Sequence, residues 1–98
     1  MSAGSAQASF RHTVKNVSKE TIVFSVRYPA CKGDSVTLKP GASTTIKSYM
    51  CCIVSATAKL GNATATTPAD PKSSAACAST SWTVDGQKDG AGLAVKRI

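Results

Sequence analysis

Residues 21–28 have the sequence Thr21-Ile22-Val23-Phe24-Ser25-Val26-Arg27-Tyr28. Every second side chain from Ile22 to Tyr28 is large and apolar, and Val23 is the only large apolar residue on the opposite face. This alternation has the period of a β-strand with one buried face. Pro29 ends the strand, because proline donates no hydrogen bond to a sheet ladder. The stretch therefore predicts a half-buried strand.

The same period-2 pattern recurs on both sides of this strand. Residues 10–17 precede it and residues 35–39 follow it, with turn-forming residues between. The alternation then runs from residue 44 to residue 60, which is too long for one strand. We therefore expect a bend near residues 49–51 that divides this run into two strands.

The last third of the chain changes composition. Residues 61–76 are small and polar and include two prolines, which predicts a long surface loop. Strand signals resume at residues 80–84 and in the closing segment 91–98. Strands at roughly ten-residue spacing, without helical periodicity, predict an all-β fold: a small antiparallel β-sandwich of the immunoglobulin-like kind with about six to eight strands. We expect residues 10–98 to form this single domain and residues 1–9 to form a flexible N-terminal arm.

The chain is basic, with 12 Lys and Arg against five Asp and Glu and a formal net charge of +7. The cations are scattered, and only Lys96 and Arg97 are adjacent. Such a distribution is typical of a solvated basic surface that favours encounter with anionic partners. The chain has only five aromatic residues among Phe, Tyr and Trp, so the core must be built largely from aliphatic side chains and would benefit from covalent bonds.

The cysteines are four in number: Cys31, Cys51, Cys52 and Cys77. They lack the C-x-x-C spacing of zinc ribbons and thioredoxin-like sites. A bond between the neighbours Cys51 and Cys52 would distort the peptide unit, so two pairings remain open: 31–51 with 52–77, or 31–52 with 51–77. Alternation along a central strand places Cys51 and Cys52 on opposite faces. Cys52 shares a face with Met50 and Val54 and is expected to face the core.

Two disulfides would place the protein in an oxidising compartment, which predicts a secreted protein. Residues 1–9 lack the apolar segment of a signal peptide, so we expect the signal to have been removed already. Two glycosylation sequons, Asn16-Val17-Ser18 and Asn62-Ala63-Thr64, fall in predicted turns. The alternatives are four reduced thiols in a cytosolic domain, and a soft-metal site in which His12 joins the adjacent cysteines.

Catalytic residues are scarce. His12 is the chain's only histidine, and it lies on the predicted inward face, where a satisfied core histidine is expected. All five carboxylates fall in predicted turns or loops, which argues against the carboxylate pair of a glycosidase. Asp85 and Asp89 are the alternative site for a hard cation, although they lack the spacing of an EF-hand. The sequence predicts no enzyme, no resident metal and no cofactor.

Surface recognition is the predicted function: a secreted, non-enzymatic binding or effector module that contacts a protein, a glycan or an anionic surface. Rigid sandwiches usually recognise partners through loops. The candidate binding residues are Lys32, Asp34, Asn62, Lys72 and Trp82. The alternative is a polyanion-binding or nucleic-acid-binding β-domain, for which an exposed Trp82 or Tyr49 would supply a stacking platform near Arg27 or Lys47. A small hydrolase-like enzyme is third. We expect a monomer or weak homo-oligomer with no transmembrane segment.

A general resemblance covers residues 14–46. The arrangement Val14-x-Asn16-x-Ser18, then Ile22-x-Phe24-x-Val26, then Leu38-x-Pro40-Gly41-x-Ser43-x-x-Ile46 is similar to the opening strands of small secreted β-sandwiches such as thaumatin-like proteins and aegerolysins. These are strand and turn residues that any sandwich can use, and the thaumatin cysteine framework is absent. The resemblance therefore implies a secreted sandwich and assigns no family.

Overall fold

The computed structural model describes residues 10–69 and 76–98, and within these ranges it contains eight strands and no helix. It therefore has no helix there that is long and apolar enough to cross a membrane. The strands are β1 (Phe10–Asn16), β2 (Ile22–Arg27), β3 (Asp34–Leu38), β4 (Ser43–Tyr49), β5 (Ser55–Leu60), β6 (Ala63–Pro68), β7 (Thr80–Asp85) and β8 (Ala94–Arg97). The predicted all-β class is confirmed.

Two four-stranded sheets are formed, the first in the order β4-β1-β7-β8 and the second in the order β3-β2-β5-β6. Neighbouring strands are antiparallel except for β1 and β7, which are parallel. The expectation of a purely antiparallel sandwich is wrong at this one pair. The chain crosses from the second sheet into β7 at the end where β1 begins, so both strands run in the same direction.

The core lies between the two sheets. Phe24 of β2 and Trp82 of β7 meet there with ring centroids 6.3 Å apart. The alternation that predicted β2 is confirmed, since Ile22, Phe24, Val26 and Tyr28 are all buried. Small side chains on β5, Ala56 and Ala58, are also fully buried, which lets the sheets approach around the few large rings.

The predicted bend is present, because β4 ends at Tyr49 and β5 begins at Ser55. The two halves enter different sheets. The expected continuity of one face across the bend is wrong: Met50, predicted to point inward, is 74% exposed. The alternation is interrupted because Tyr49 has a left-handed backbone, with φ of 53°.

The predicted loop over residues 61–76 is also wrong in its first half. Ala63–Pro68 forms strand β6, which pairs antiparallel with β5 through a tight turn at Gly61 and Asn62. Its alternating alanines and threonines differ too little in hydrophobicity for the strand period to be visible. Pro68 is the last residue of this edge strand, where proline is tolerated.

The strand directions give the sandwich two ends. The braced end carries the connections 28–33, 50–54 and 76–79, together with the start of β1 and the ends of β4 and β8. The far end carries the connections 17–21, 39–42, 61–62 and 86–93. Both disulfides lie at the braced end.

Candidate functional site: the braced end

Two disulfides join the three connections of the braced end. They are Cys31–Cys51, with Cα atoms 6.3 Å apart, and Cys52–Cys77, with Cα atoms 4.3 Å apart. Of the two pairings left open by the sequence, the first is therefore present. The adjacent cysteines lie in the connection between β4 and β5, not within a central strand. The member packed against the core is Cys51, so the expectation for Cys52 is wrong.

Backbone hydrogen bonds fix the same connections. Ile53 and Ala76 form an isolated bridge in which each amide donates to the other's carbonyl, at 3.0 and 2.8 Å. The amide of Val54 donates to Arg27 and its carbonyl accepts from Ala69, both at 2.8 Å. Ile53 is fully buried, so this junction also adds apolar area under the disulfides.

A buried polar network lies beneath the turn that follows β4. His12 is fully buried; its Nδ1 is 2.7 Å from Thr80 Oγ1, and its Nε2 is 2.9 Å from Ser48 Oγ. Ser48 Oγ donates to the Cys51 carbonyl at 3.0 Å, and Trp82 Nε1 donates to Thr80 Oγ1 at 2.6 Å. Because the Ser48 hydroxyl proton is used in the bond to the Cys51 carbonyl, Ser48 Oγ accepts from a protonated His12 Nε2. Nδ1 of the neutral ring is then unprotonated and accepts from the Thr80 hydroxyl. The expected satisfied core histidine is confirmed.

The electrostatics of this network favour the neutral ring. Burial lowers the pKa of His12; the charge of Asp34 raises it and that of Arg97 lowers it further. Burial also raises the pKa of Tyr28. The Tyr28 hydroxyl donates to Asp34 Oδ2 at 2.8 Å, and this bond raises the same pKa further. The carboxylate of Asp34, an exposed residue, therefore accepts a hydrogen bond at the braced end.

The turn itself presents two large side chains to solvent. Tyr49 and Met50 are its central residues, since the amide of Cys51 donates to the Ser48 carbonyl at 2.9 Å. Tyr49 is 67% exposed and Met50 is 74% exposed. A bulge precedes the turn, where the pairing shifts from Arg11 with Lys47 to Phe10 with Tyr49. We call residues 48–51 the Tyr-Met turn.

Cations surround the Tyr-Met turn. Arg11 and Lys47 are direct cross-strand partners, and both are exposed. Lys32 is exposed beside Cys31, which the disulfide ties to Cys51. Like charges directly opposite on a sheet destabilise the fold. The Arg11–Lys47 pair is therefore a feature that stability alone does not favour.

The predicted binding residues are only partly brought together. Lys32 and Asp34 lie at the braced end with the four cysteines, whereas Asn62 is exposed on a far-end turn. Lys72 lies outside the described residues. The exposed stacking role for Trp82 is wrong, because the ring is 1% exposed within the core.

Sequence reasoning missed Met50 as a site residue and considered Tyr49 only as a stacking platform in the nucleic-acid alternative. The available signal was a tyrosine and a methionine placed inside a predicted bend and directly before two cysteines. Extending the strand period through that bend wrongly places the methionine on the inward face. A break in the chain's direction resets the period, so residues within it need separate treatment.

The other candidates have structural roles. Asp85 and Asp89 each accept a local backbone amide, from Gly86 at 2.8 Å and Ala91 at 2.9 Å. Across the described ranges, no group of three His, Cys, Asp or Glu side chains is placed to hold a metal ion. Asn16, in the first sequon, is fully buried and is not available for glycosylation in the folded protein.

Comparison with family models, with curated proteins and with solved structures found no significant match for this chain.

Proposed function

We propose that the protein is a secreted, non-enzymatic binding module, built on an immunoglobulin-like sandwich, that recognises its partner with the braced end. The observation that carries the proposal is Tyr49, a strained residue with an exposed ring on a covalently braced turn. Left-handed backbone at a bulky residue costs roughly 1 kcal/mol, and such outliers cluster at functional sites. Glycine or asparagine would satisfy this turn at lower cost.

The braced end is preorganised. Two disulfides, the Ile53–Ala76 bridge and the His12 network all hold the chain on either side of Tyr49 and Met50. Ordering a loop on binding costs conformational entropy, and prior rigidity removes that cost. Tyrosine also supplies a large contact area with few rotatable bonds, as in many recognition loops. These features support recognition by a rigid surface.

The chemistry of the single histidine supports a function other than catalysis. A general base must reach a substrate proton, whereas both ring nitrogens of His12 are bonded to internal hydroxyls and the ring is fully buried. Secretion is supported by the two disulfides, which persist mainly in oxidising compartments.

The test is a binding screen over glycans, lipid surfaces and extracellular proteins with the disulfide-bonded protein. Wild type is compared with Tyr49→Asn/Met50→Ser and with Val17→Ser, which removes an exposed apolar side chain at the far end. We expect at least one ligand to be lost with the first variant and retained with the second. If every ligand is indifferent to the Tyr-Met turn, the proposal fails.

A second candidate function is polyanion binding by the outer face of the first sheet. It is favoured by two exposed cations, Arg11 and Lys47, which are cross-strand partners on β1 and β4. The exposed hydroxyls of Thr13 and Thr45 lie next to them. This function predicts binding to heparin or DNA that falls steeply with salt, because counterions are released. Affinity that is flat with ionic strength would exclude it.

A further inference from the structure

The Tyr-Met turn is convex. Tyr49 and Met50 project from the end of the sandwich with two thirds or more of their surface in solvent. Neither residue lines any of three clefts of the described residues: two of these are at the far end, and one lies beside the ends of β6 and β8, at the side of the braced end, lined by Pro68, Val95 and Arg97. A projecting apolar pair therefore needs a partner with its own cavity or a partner that deforms.

The two side chains suit a lipid interface. A tyrosine ring has an apolar body and a polar hydroxyl, which is why tyrosine is enriched where a bilayer meets water. Methionine is unbranched and adaptable, so it fits a fluid environment without a shaped pocket. The neighbouring connection adds exposed Pro29 and Ala30, which carry no charge.

The charge distribution favours an anionic surface. Arg11, Lys32 and Lys47 flank the turn, and Asp34, the one carboxylate described at this end, is bonded to the Tyr28 hydroxyl. The three other described carboxylates lie at the far end: Glu20, Asp85 and Asp89. The far-end connections carry three exposed cations, Lys19, Lys39 and Lys88, so the three carboxylates there offset them, whereas the braced-end cations face Asp34 alone. The excess positive charge would orient the molecule with its braced end toward negative charge.

We propose that the partner of the braced end is an anionic lipid bilayer. The Tyr-Met turn enters the headgroup region, and Arg11, Lys32 and Lys47 contact lipid phosphates. This inference rests on the proposed function, since it names the partner of the same surface. No covalent step is involved. The binding free energy has two contributions: burial of apolar surface at the turn, and electrostatic attraction between the cations and the negative membrane surface.

The experiment is co-sedimentation of the disulfide-bonded protein with vesicles. One set is phosphatidylcholine alone, and the other contains about one third phosphatidylglycerol to supply negative charge. We expect binding to the anionic set only, weakened at high salt because charges near the surface are screened. Tyr49→Asn/Met50→Ser should lower the partition coefficient more than about tenfold, because the apolar contact is lost.

Matched variants separate the turn from net charge. Lys47→Ser should lower binding about fivefold, since a cation near an anionic surface contributes on that scale. Lys88→Ser makes the same charge change on the far-end turn and should have little effect. Val17→Ser controls for loss of an exposed apolar side chain. Thermal unfolding of each variant verifies that it is folded, and Met50→Ser alone repeats the test without touching the left-handed residue.

Three results would overturn the inference: no binding to anionic vesicles at low salt, equal weakening by Lys47→Ser and Lys88→Ser, or full binding by Tyr49→Asn/Met50→Ser. The screen described above distinguishes the two proposals. If the protein does not bind vesicles but binds a protein or glycan that requires Tyr49 and Met50, the lipid partner is wrong and the proposed binding module stands. If no ligand's binding changes when the turn is mutated, both the proposed binding module and the proposed lipid partner are wrong.

Discussion

The two ends of the sandwich are closed by different chemistry. At the braced end, two disulfides hold long connections together. At the far end, the buried side chain of Asn16 links the connections 17–21 and 39–42: its Nδ2 donates to the carbonyls of Glu20 at 2.7 Å and Leu38 at 2.9 Å, with a longer contact of 3.3 Å to the carbonyl of Lys39. Its Oδ1 accepts from the amide and hydroxyl of Ser18, at 2.9 and 2.7 Å.

The difference follows from what each end has to hold. The far-end connections 17–21 and 39–42 are short, so one buried amide can reach carbonyls in or beside both. The braced-end connections 28–33 and 50–54 expose apolar side chains such as Pro29 and Met50, which a folded core would otherwise bury. Covalent bonds stabilise such loops without needing apolar contacts. The end that displays Tyr49 and Met50 is therefore the end that is cross-linked.

The largest expected effect is the loss of a disulfide. Cys31→Ala/Cys51→Ala, or Cys52→Ala/Cys77→Ala, should each lower the free energy of unfolding by about 3 kcal/mol, because the cross-link no longer restricts the unfolded chain. Urea titration measures this loss. Hydrogen exchange locates it: amides of Ile53 and Ala76 should exchange faster, while that of Gly41, bonded to the Asn16 carbonyl, should change less. Equal loss of protection at both ends would contradict the conclusion that the disulfides stabilise the braced end in particular.

Asn16→Ala should have the next largest effect, about 2–3 kcal/mol, because it leaves buried carbonyls without their donor. The loss should be centred on the far end, with Gly41 exchanging faster than Ile53. Asn62→Ala is the matched control, since Asn62 is exposed on a turn of the same end and its replacement should change stability by less than about 0.5 kcal/mol. Similar costs for the two variants would contradict the role assigned to Asn16.

Acid should weaken the braced end through His12. Its pKa is lowered on folding from an ordinary value of 6.5, so the unfolded chain binds the proton more readily. The neutral ring therefore contributes stability in full above 6.5, and this contribution is lost as the pH falls from 6.5 toward the folded pKa. Urea titrations across this range measure the fall, and an NMR titration of the only histidine measures the pKa directly. A midpoint at or above 6.5 would contradict the prediction.

The smallest effects have opposite signs at the two ends. Tyr49→Asn should raise the free energy of unfolding by up to about 1 kcal/mol, because asparagine tolerates left-handed backbone and little ring burial is lost. At the far end, Gly41 has φ of 77° with free space where a Cβ would lie. Gly41→Ala should therefore lower stability by about 1 kcal/mol through backbone strain alone. Thermal unfolding compares the two, and destabilisation by Tyr49→Asn would remove the argument from strain.

Local pattern was a good guide wherever the chain alternated regularly. The strand at residues 21–28, the burial of its apolar face and the satisfied His12 all followed from period-2 spacing, because a strand sends neighbouring side chains to opposite faces. It failed where the pattern was interrupted or faint. Met50 was misplaced because the left-handed Tyr49 breaks the period, and β6 was missed because alanine and threonine differ little in hydrophobicity.

The amino-acid sequence by itself determined the all-β class, the four disulfide-forming cysteines and the scattered positive charge, since these depend on residue type and nearest-neighbour periodicity. Only the tertiary structure decided which cysteines pair, that β1 and β7 run parallel, that Trp82 is internal, and that Tyr49 and Met50 project beside Arg11 and Lys47. Each of these depends on which distant segments meet at one end of the sandwich, and that meeting is set by the packing of the whole chain.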